Sequence, residues 1–322
     1  MRRPAGGDKP RPYDPIDAAS TDAIPLAPPP AGGPRFIWLD AVILAVVAAF
    51  VAYLAYRVES VLHYHWRWGR VWAYMVRWDE ARGAWTANLL VNGFLTTLRL
   101  AFWGVLWAAL IGLVMGVART SAALLPRLIA VLYVGLVRNT PPLVFIFIFY
   151  FFLSSQLVPL LGLEDFIAGA SPPMLTTVSW LTGDPKLFVN FVTGLICLAL
   201  FEGAYVTEIV RAGIQSVEKG QIEAGRSLGL SRFQLLRLIV LPQAFRRVLP
   251  PLAGQFVSLI KTSSIVSLIS IEELTFAAGE VAVTTGGVFE VWIVAAGMYL
   301  MICWPCAAFF SRLERKLNPA GS

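Results

Sequence analysis

Apolar residues are gathered into six long stretches that polar segments separate. They run approximately over residues 36–56, 89–117, 128–161, 187–209, 248–271 and 288–310. A bilayer core about 30 Å thick is crossed by about 20 apolar residues in a helix. Each stretch is also too continuous for a helix in a soluble core. The pattern predicts an all-α, polytopic membrane helix bundle with six spans.

The third stretch is interrupted by Arg138-Asn139-Thr140-Pro141-Pro142. Proline lacks a backbone N–H and disfavours helix in the residue before it, and residues 143–161 alone are long enough to cross. This favours a short approach helix over 128–137, a bend at the proline pair and then the span. The alternative is a transmembrane helix that is broken at the prolines and lines a site.

Composition agrees with the membrane class. The 322-residue chain is 57% hydrophobic and 14% charged, with a mean hydropathy of +0.68, whereas soluble domains carry about 25% charged residues. The net charge of +6 would suit nucleic acid, but the basic residues cluster between the spans. Basic cytoplasmic loops explain them better, and no nucleic-acid partner is predicted.

Cysteine and histidine offer little chemistry. Cys197, Cys303 and Cys306 lie in apolar stretches, where small apolar residues are the simpler interpretation. The pair His63 and His65 has no further ligands beside it and is weak evidence for zinc. No catalytic or metal site is predicted.

Basic residues orient the spans, because cytoplasmic loops carry an excess of lysine and arginine. Residues 211–247 hold Arg211, Lys219, Arg226, Arg232, Arg237, Arg246 and Arg247 against two glutamates. The turn after Ile271 holds three glutamates and no base. We therefore expect residues 211–247 and both termini on the cytoplasmic side of a bacterial inner membrane. The Pro-, Ala- and Gly-rich residues 1–35 are expected to form a disordered cytoplasmic tail.

Residues 57–87 disagree with this scheme, which places them outside. They contain Arg57, Arg67, Arg70, Arg77 and Arg82, together with five tryptophans. A stretch rich in tryptophan and arginine is typical of an amphipathic helix at a membrane interface. We predict such an extracytoplasmic, interfacial segment after the N-terminal span 36–56.

The polar loop 211–242 has the signals of two short helices. Ser216 is a candidate cap for the first, over residues 221–228, with Glu218 near its positive end. Gly229 suits the left-handed residue that ends a helix.

The second helix of this loop starts at Ser231. Ser231 and Gln234 form a capping box, Leu230 and Leu235 form a hydrophobic staple, and Pro242 is expected to end the helix.

Small residues leave one side of this helix pair without bulk, namely at Ala224, Gly225 and Gly229. A flat surface lets another protein approach, and the carboxylate of Glu223 suits an arginine of that partner. A solvated amphipathic connector is the alternative. A DNA-binding helix-turn-helix is disfavoured, because both ends are tied into the bilayer.

The spacing of this loop resembles a known family. Glu223-Ala224-Gly225 is followed after three residues by Gly229, after nine more by Ile239, and then by Leu241-Pro242. This resembles the pattern Glu-Ala-Ala, Gly, Ile, Leu-Pro of permeases of binding-protein-dependent ABC importers. Gly225 stands for the second alanine, which should loosen the helix.

Further segments within residues 88–316 resemble the polar amino acid branch of that family. They are the run 205–214, Lys219-Gly220-Gln221, the run 227–231, Leu241-Pro242-Gln243-Ala244, Arg138-Asn139-Thr140-Pro141 with asparagine for glycine, the run 261–264 and Glu273-Leu274.

The resemblance implies a permease subunit for polar amino acids, with a MetI-like five-span domain over residues 88–316 and one extra N-terminal transmembrane helix. It implies four kinds of partner: a second permease copy, two ATPase subunits, an extracytoplasmic solute-binding protein and membrane lipid. Glu223, Ala224, Gly225, Gly229, Leu241 and Pro242 would dock on the ATPase. The chain has no phosphate-binding loop of the Gly-x4-Gly-Lys-Ser/Thr type, so ATP and Mg would be bound by the ATPase and this chain would bind no cofactor and catalyse no reaction.

Charged residues inside apolar spans are costly and indicate function. Arg99, Glu202 and Lys261 are therefore candidate contacts for the charged groups of an amino acid on the substrate path. Mutual pairing of Arg99 with Glu202, or snorkelling, is the alternative. Glu208 and Arg211 are expected to pair within one helix.

Two other functional classes compete with the importer. A secondary transporter would use an ion gradient, with Glu202 and Arg99 as ion sites. An intramembrane enzyme is disfavoured, because the spans contain no Ser-His pair, His-Glu-x-x-His motif or paired aspartates.

Overall fold

The computed structural model describes residues 38–61, 63–81 and 83–317, and the side chains of Arg232, Lys316 and Leu317 lie outside that description. The expected disordered tail 1–35 also lies outside the described residues. The chain divides into two compact units, residues 1–65 and 66–322.

The first unit contains a single described helix, α1, Trp38–Ser60. It is long and apolar enough to cross a membrane. Asp40 lies in its first turn and Arg57 in its last, where each charge opposes the partial charge of the helix end. The N-terminal span therefore continues four residues beyond the predicted end at Tyr56.

The second unit contains thirteen α-helices and one hairpin among its described residues. In chain order they are α2 Trp68–Ala73, β1 Val76–Asp79, β2 Ala84–Ala87, α3 Leu89–Thr120, α4 Leu124–Arg138, α5 Pro142–Ile148, α6 Ser155–Leu160, α7 Leu163–Ala168, α8 Pro172–Thr182, α9 Phe188–Gln215, α10 Lys219–Ser227, α11 Arg232–Leu235, α12 Leu241–Thr262, α13 Leu274–Thr285 and α14 Val288–Leu317. Short π-helical turns join α5 to α6 and α11 to α12, and 3₁₀ turns precede α9 and follow α12.

Six helical segments in the described part of the chain are long and apolar enough to span a membrane. They are Trp38–Ser60, Leu89–Thr120, Pro142–Leu160, Pro185–Gln215, Phe233–Ile269 and Val288–Arg315. These are the six predicted spans, so the prediction of an all-α membrane bundle is confirmed.

The third apolar stretch divides at the proline pair. Helix α4 ends at Arg138, and α5 begins at Pro142 after an extended Pro141. Proline at the first helical position costs no hydrogen bond, because that N–H has no partner inside a helix. The predicted bend is therefore present, and the approach helix is 15 residues long.

Helices α3 and α9 pack at the centre of the second unit. Along α3, Gly104, Ala108, Gly112 and Gly116 recur every four residues and are buried. A β-carbon at Gly112 would lie 2.3 Å from Cγ1 of Val206 and 3.0 Å from its backbone carbon. Small residues at such a seam let two membrane helices approach closely.

Pro242 does not end a helix, contrary to the prediction. α11, the π turn Leu236–Val240 and α12 form one continuous helical segment, and Phe233–Ile269 is helical throughout its 37 residues. In the π turn, the N–H of Leu241 bonds to the carbonyl of Leu236, five residues earlier. Pro242 lies in the first turn of α12 after it. The wider turn accommodates a residue that has no N–H to donate.

The described residues of segment 57–87 do not form one amphipathic helix. After α1 they fold into the six-residue helix α2 and an antiparallel hairpin in which Trp78 pairs with Trp85. Their rings meet edge to face with centroids 5.7 Å apart. Aromatic residues favour strands and cross-strand pairs, and this preference prevails over the helical interpretation.

Helix α13 was not predicted. It packs against α2, α3 and α14, and Val71 of α2 belongs to the same buried cluster as Leu274 and Val281. These elements form one end of the bundle, here called the hairpin end: α2, β1, β2, α13 and the start of α3. The opposite end, called the loop end, carries residues 216–242 and the last turns of α3, α4 and α9.

Candidate functional site

The loop end is built around the polar segment between α9 and α12. Ser216 does not cap α10, contrary to the prediction. It ends α9, its hydroxyl donates to the carbonyl of Gly213 at 2.7 Å, and its own carbonyl accepts from Arg247 of α12. Glu218 is the residue before α10, without a side-chain cap bond. The loop is thus tied to both long helices.

The turn between α10 and α11 has the predicted chemistry. Gly229 has φ +77°, the left-handed conformation. The N–H of Gly229 bonds to the carbonyl of Arg226 and that of Leu230 to Gly225, which is the two-bond Schellman ending. Ser231 and Gln234 exchange side-chain and backbone bonds of 2.9 and 3.3 Å, so the capping box is confirmed.

Gly225 faces the inside of the loop rather than a partner. It is buried, and a β-carbon there would lie 2.6 Å from Cδ1 of Ile239 and 3.5 Å from Cδ1 of Leu230. A small cluster lies beneath the loop, with Leu235 and Val240 at its buried centre and Leu230 packed against it. The expectation that Gly225 leaves an outer side without bulk is therefore wrong, because its smallness serves internal packing.

The outer surface of α10 carries Glu223 and Ala224, both exposed. Ala224 shares a helix face with Gly220 and Leu228, which are four residues away on either side. Leu228 is 81% exposed, and Phe233 at the start of α11 is 69% exposed. Two large apolar side chains beside a carboxylate and a small residue form a surface suited to contact with another protein.

Charged side chains join three helices next to the loop. Glu208 of α9 pairs with Arg211 on its own helix at 2.8 Å, with Arg138 of α4 at 3.8 Å, and with Arg119 of α3. The guanidinium of Arg138 also lies 5.3 Å from the ring centre of Tyr205. The expected Glu208–Arg211 pair is present, and the same carboxylate additionally links the ends of α3 and α4.

Glu202 lies near the middle of α9 and is only 1% exposed. Its carboxylate accepts a hydrogen bond from the side chain of Gln255 on α12. Beside it lies a cavity of about 80 Å³ between α3, α9 and α12, with otherwise mainly apolar walls. A carboxylate in such a place needs a polar partner, which Gln255 supplies.

Among the described residues, neither Arg99 nor Lys261 forms an ion pair with Glu202. Nε of Arg99 donates to the carbonyl of Trp180 at 3.2 Å, so Arg99 and Glu202 have different partners and do not pair. Lys261 is exposed on the last turn of α12. In the part of the chain that the structure describes, no ion pair or hydrogen bond joins the three candidate path residues.

Two buried carboxylates were missed from the sequence. Glu273 caps α13 by accepting from the N–H of Phe276 at 2.9 Å, and it also accepts from Tyr299 at 2.6 Å and Thr97 at 3.2 Å. Glu290 accepts from the N–H of Arg67. The sequence indicates Glu273 only as part of an acidic turn and of the family resemblance, although a side-chain oxygen three residues before a helical N–H is a capping signal.

Two of the five arginines that disagreed with the charge rule, Arg67 and Arg70, have partners at the hairpin end. The guanidinium groups of Arg67 and Arg70 lie 3.5 and 3.4 Å from the carbonyl of Thr285, at the carboxyl end of α13. Positive charge is favoured at that end of a helix. These arginines therefore have a structural role that is independent of membrane side.

The chain belongs to a transport family. Residues 108–319, more than half of the chain, match the binding-protein-dependent transport system inner membrane component, and the fold is that of a MetI-like domain. With six candidate spans, the chain is a multi-pass inner-membrane component of a transport system, and the family is one of transport subunits rather than of enzymes.

Individual relatives show which kinds of transport system the chain resembles. The glutamine transport system permease protein GlnP of Escherichia coli K12 is 32% identical over 71% of this chain and 93% of its own length. The probable glutamine ABC transporter permease protein GlnP of Bacillus subtilis 168 is 35% identical over 70% and 92%. A crystal structure of an amino acid ABC transporter with histidines matches with 32% identity and a TM-score of 0.56, covering 71% of this chain and 94% of that one.

Proposed function

We propose that this chain is the permease subunit of an ATP-driven importer for polar amino acids. The observation that carries the proposal is the loop end, where an exposed surface with Glu223, Ala224 and Leu228 is presented by an internally packed helix pair. Relatives named for glutamine and amino acid transport agree with the substrate class.

The loop would couple the chain to an ATPase. Glu223 and Ala224 would contact the partner directly, since both are exposed on α10. Gly225 and Gly229 would act indirectly, because one allows the internal packing and the other the turn. Leu241 and Pro242 would connect the loop to α12, whose helix continues through the membrane.

The assembly would contain a second permease copy, two ATPase subunits that bind ATP and Mg, and an extracytoplasmic solute-binding protein. The loop end would then face the cytoplasm, as would both termini. The hairpin end would face outward, toward the binding protein.

The substrate path would use charged residues at separate levels. Arg99 is ten residues into α3 from the hairpin end, and Lys261 lies near the end of α12 at the same side. Glu202 lies deeper, near the middle of α9. An amino acid would therefore meet these charges in sequence rather than in a single pocket.

Co-purification with the ATPase tests the coupling role. Glu223→Lys should abolish retention of the ATPase on the tagged permease complex, since it reverses the charge offered to the partner. Glu218→Lys is the matched control, because Glu218 is exposed in the same loop without a cap bond. Equal loss in both variants, or full retention in Glu223→Lys, would contradict the proposal.

Uptake by proteoliposomes containing the whole assembly tests the energy source. Transport of a polar amino acid should require ATP and persist when an ionophore removes the proton gradient. Uptake without ATP that collapses with the gradient would instead support a secondary transporter.

A further inference from the structure

A further cavity of the second unit lies at the hairpin end, apart from the Glu202 cavity. Its volume is about 250 Å³, whereas one water occupies about 30 Å³ in the liquid. Its walls come from the start of α3, the connection between α8 and α9, and the start of α13. It therefore has room for several waters or for one small polar solute.

One wall of the cavity carries an oriented positive charge. Nε of Arg99 donates to Trp180 at the carboxyl end of α8, which fixes the direction of the side chain. NH1 of Arg99 lies 3.4 Å from the place a β-carbon would occupy on Gly183, whose φ of +106° favours glycine. Gly183 thus leaves space beside the guanidinium. No described residue accepts a hydrogen bond from its terminal nitrogens.

Negative charge faces this guanidinium from other elements. Asp184 follows Gly183, Glu272 precedes α13, and both line the same cavity as Arg99. Glu272 is an exposed residue, and its partial burial first, and then the nearby carboxylates Glu280 and Asp184, raise the pKa of its carboxyl group above the usual range. The two lining carboxylates therefore repel each other, and a cation between them would relieve that repulsion.

Neutral polar groups complete the walls. Asn92 and Thr96 are on α3, one helical turn apart from each other and, for Thr96, three residues from Arg99. The hydrophobic part of the wall includes Leu187 and Phe276. One positive group, two negative groups and a few neutral donors around a small volume match a ligand that carries both charges.

We propose that this cavity binds a zwitterionic amino acid on the permease itself. Its carboxylate would bind the terminal nitrogens of Arg99, and its ammonium would lie between Asp184 and Glu272. The site would receive the solute at the outer end, before it reaches the level of Glu202. The inference rests on the proposed function, because it assumes that the transported solute is an amino acid.

Direct binding tests this site in the complete permease–ATPase assembly, reconstituted in nanodiscs without the solute-binding protein. The probes are radiolabelled glutamine, glutamate, arginine and histidine. The wild type should bind at least one of them saturably. The α-carboxamide derivative of the bound amino acid, which lacks the carboxylate charge, should fail to compete with the labelled probe.

Variants assign the binding to the cavity. Arg99→Gln should weaken binding about tenfold or more, as expected for losing one charge-assisted pair, and Arg99→Lys should retain part of the affinity. Asp184→Asn with Glu272→Gln should also weaken binding. Lys186→Gln is the matched control, because it removes a neighbouring exposed charge that does not line the cavity. Because Asp184 is exposed, the Asp184→Asn single variant provides a second test if an Arg99 variant fails to fold.

The outcomes separate the site from the proposed function. ATP-driven uptake without saturable binding at millimolar probe, or binding that Arg99→Gln and the double carboxylate variant leave unchanged, would overturn the site and leave the importer standing. Absence of ATP-driven uptake for all four probes would overturn the proposed function and, with it, the site.

Discussion

The loop end and the hairpin end hold their short helices in different ways. At the loop end, α10 and α11 rest on a small apolar cluster, and the conspicuous carboxylate, Glu223, is exposed. At the hairpin end, α13 is fixed by Glu273, which is fully buried and bonded to α3 and α14. The comparison teaches that two glutamates beside short helices have different roles. Glu223 is exposed and available to a partner, whereas Glu273 is buried and holds the fold together.

The largest expected effect separates these two glutamates. Glu273→Ala should destabilise the protein by about 3 kcal/mol, because it removes the carboxylate that accepts from the N–H of Phe276 and from the hydroxyl of Tyr299. Glu223→Ala should leave stability nearly unchanged. Thermal unfolding of the detergent-solubilised assembly, followed by size-exclusion chromatography, measures both. If the two variants melt alike, the distinction between the ends is wrong.

The next effect probes packing beneath the loop. Gly225→Ala restores the family's usual alanine but places a methyl group 2.6 Å from Cδ1 of Ile239. Overpacking costs about 1–3 kcal/mol, and the close approach falls on the tip of the flexible Ile239 side chain, so the cost is at the low end and cancels the gain of about 1 kcal/mol that alanine offers in helix propensity. Ile239→Val removes Cδ1 and should restore this gain in the double variant. Additive effects in the thermal unfolding of both variants would argue against this contact.

A comparable effect confined to the loop concerns the capping box. Ser231→Ala should cost about 1 kcal/mol of local stability, because Gln234 loses the acceptor for its N–H. Hydrogen exchange should accelerate over residues 231–235 while the hairpin end is unchanged. Ser227→Ala is the control, because the hydroxyl of Ser227 bonds only to the carbonyl one turn earlier. Acceleration at both ends would show that they are not independent.

The smallest effect depends on pH at the hairpin end. Since the pKa of folded Glu272 is raised, first by burial and then by its carboxylate neighbours, its contribution to stability is present below its ordinary pKa of about 4.3. That contribution is lost as pH rises through the raised value. Glu272→Gln should therefore raise the melting temperature slightly at pH 8 and leave it unchanged at pH 4. An increase of equal size at both pH values would refute the stated cause.

The long elements were predictable because a continuous apolar run of about 20 residues has few other solutions. The six spans and the bend at Pro141 follow from this physics and from proline geometry. The left-handed Gly229 and the Ser231–Gln234 box also follow from local chemistry, since both depend on residues within one turn of each other.

Other features depend on partners that are distant in sequence. The sequence shows that Gly225 is a small residue, but it does not show that Ile239 packs against it. The carbonyl of Ser216 accepts a hydrogen bond from Arg247, 31 residues later. The 12-residue helix α13 is too short for a span and follows two glutamates, so it resembles an acidic turn until its packing against α3 is known.

The hairpin had a local signal that was overlooked. Val76–Asp79 and Ala84–Ala87 contain aromatic residues and flank a short connection that includes Gly83 at φ +58°. Two such runs joined by a few residues with glycine are typical of a hairpin. The arginine content of the segment instead favoured the prediction of an amphipathic helix at the membrane surface.

The unbroken helix through the π turn has a mechanical consequence. A 37-residue rod such as Phe233–Ile269 is about 55 Å long at 1.5 Å per residue. If it pivots near its middle by about 5°, simple leverage moves each tip by roughly 2 Å in opposite directions. Lys261, beyond the pivot, would then move opposite to Phe233, whereas Gln255, close to the pivot, would hardly move. Pro250 and Pro251 lie inside this segment, at the kind of position where a long helix bends. Stiffness along this one rod, rather than any contact at its tip, would set how far a stroke on one side of the bilayer is felt on the other.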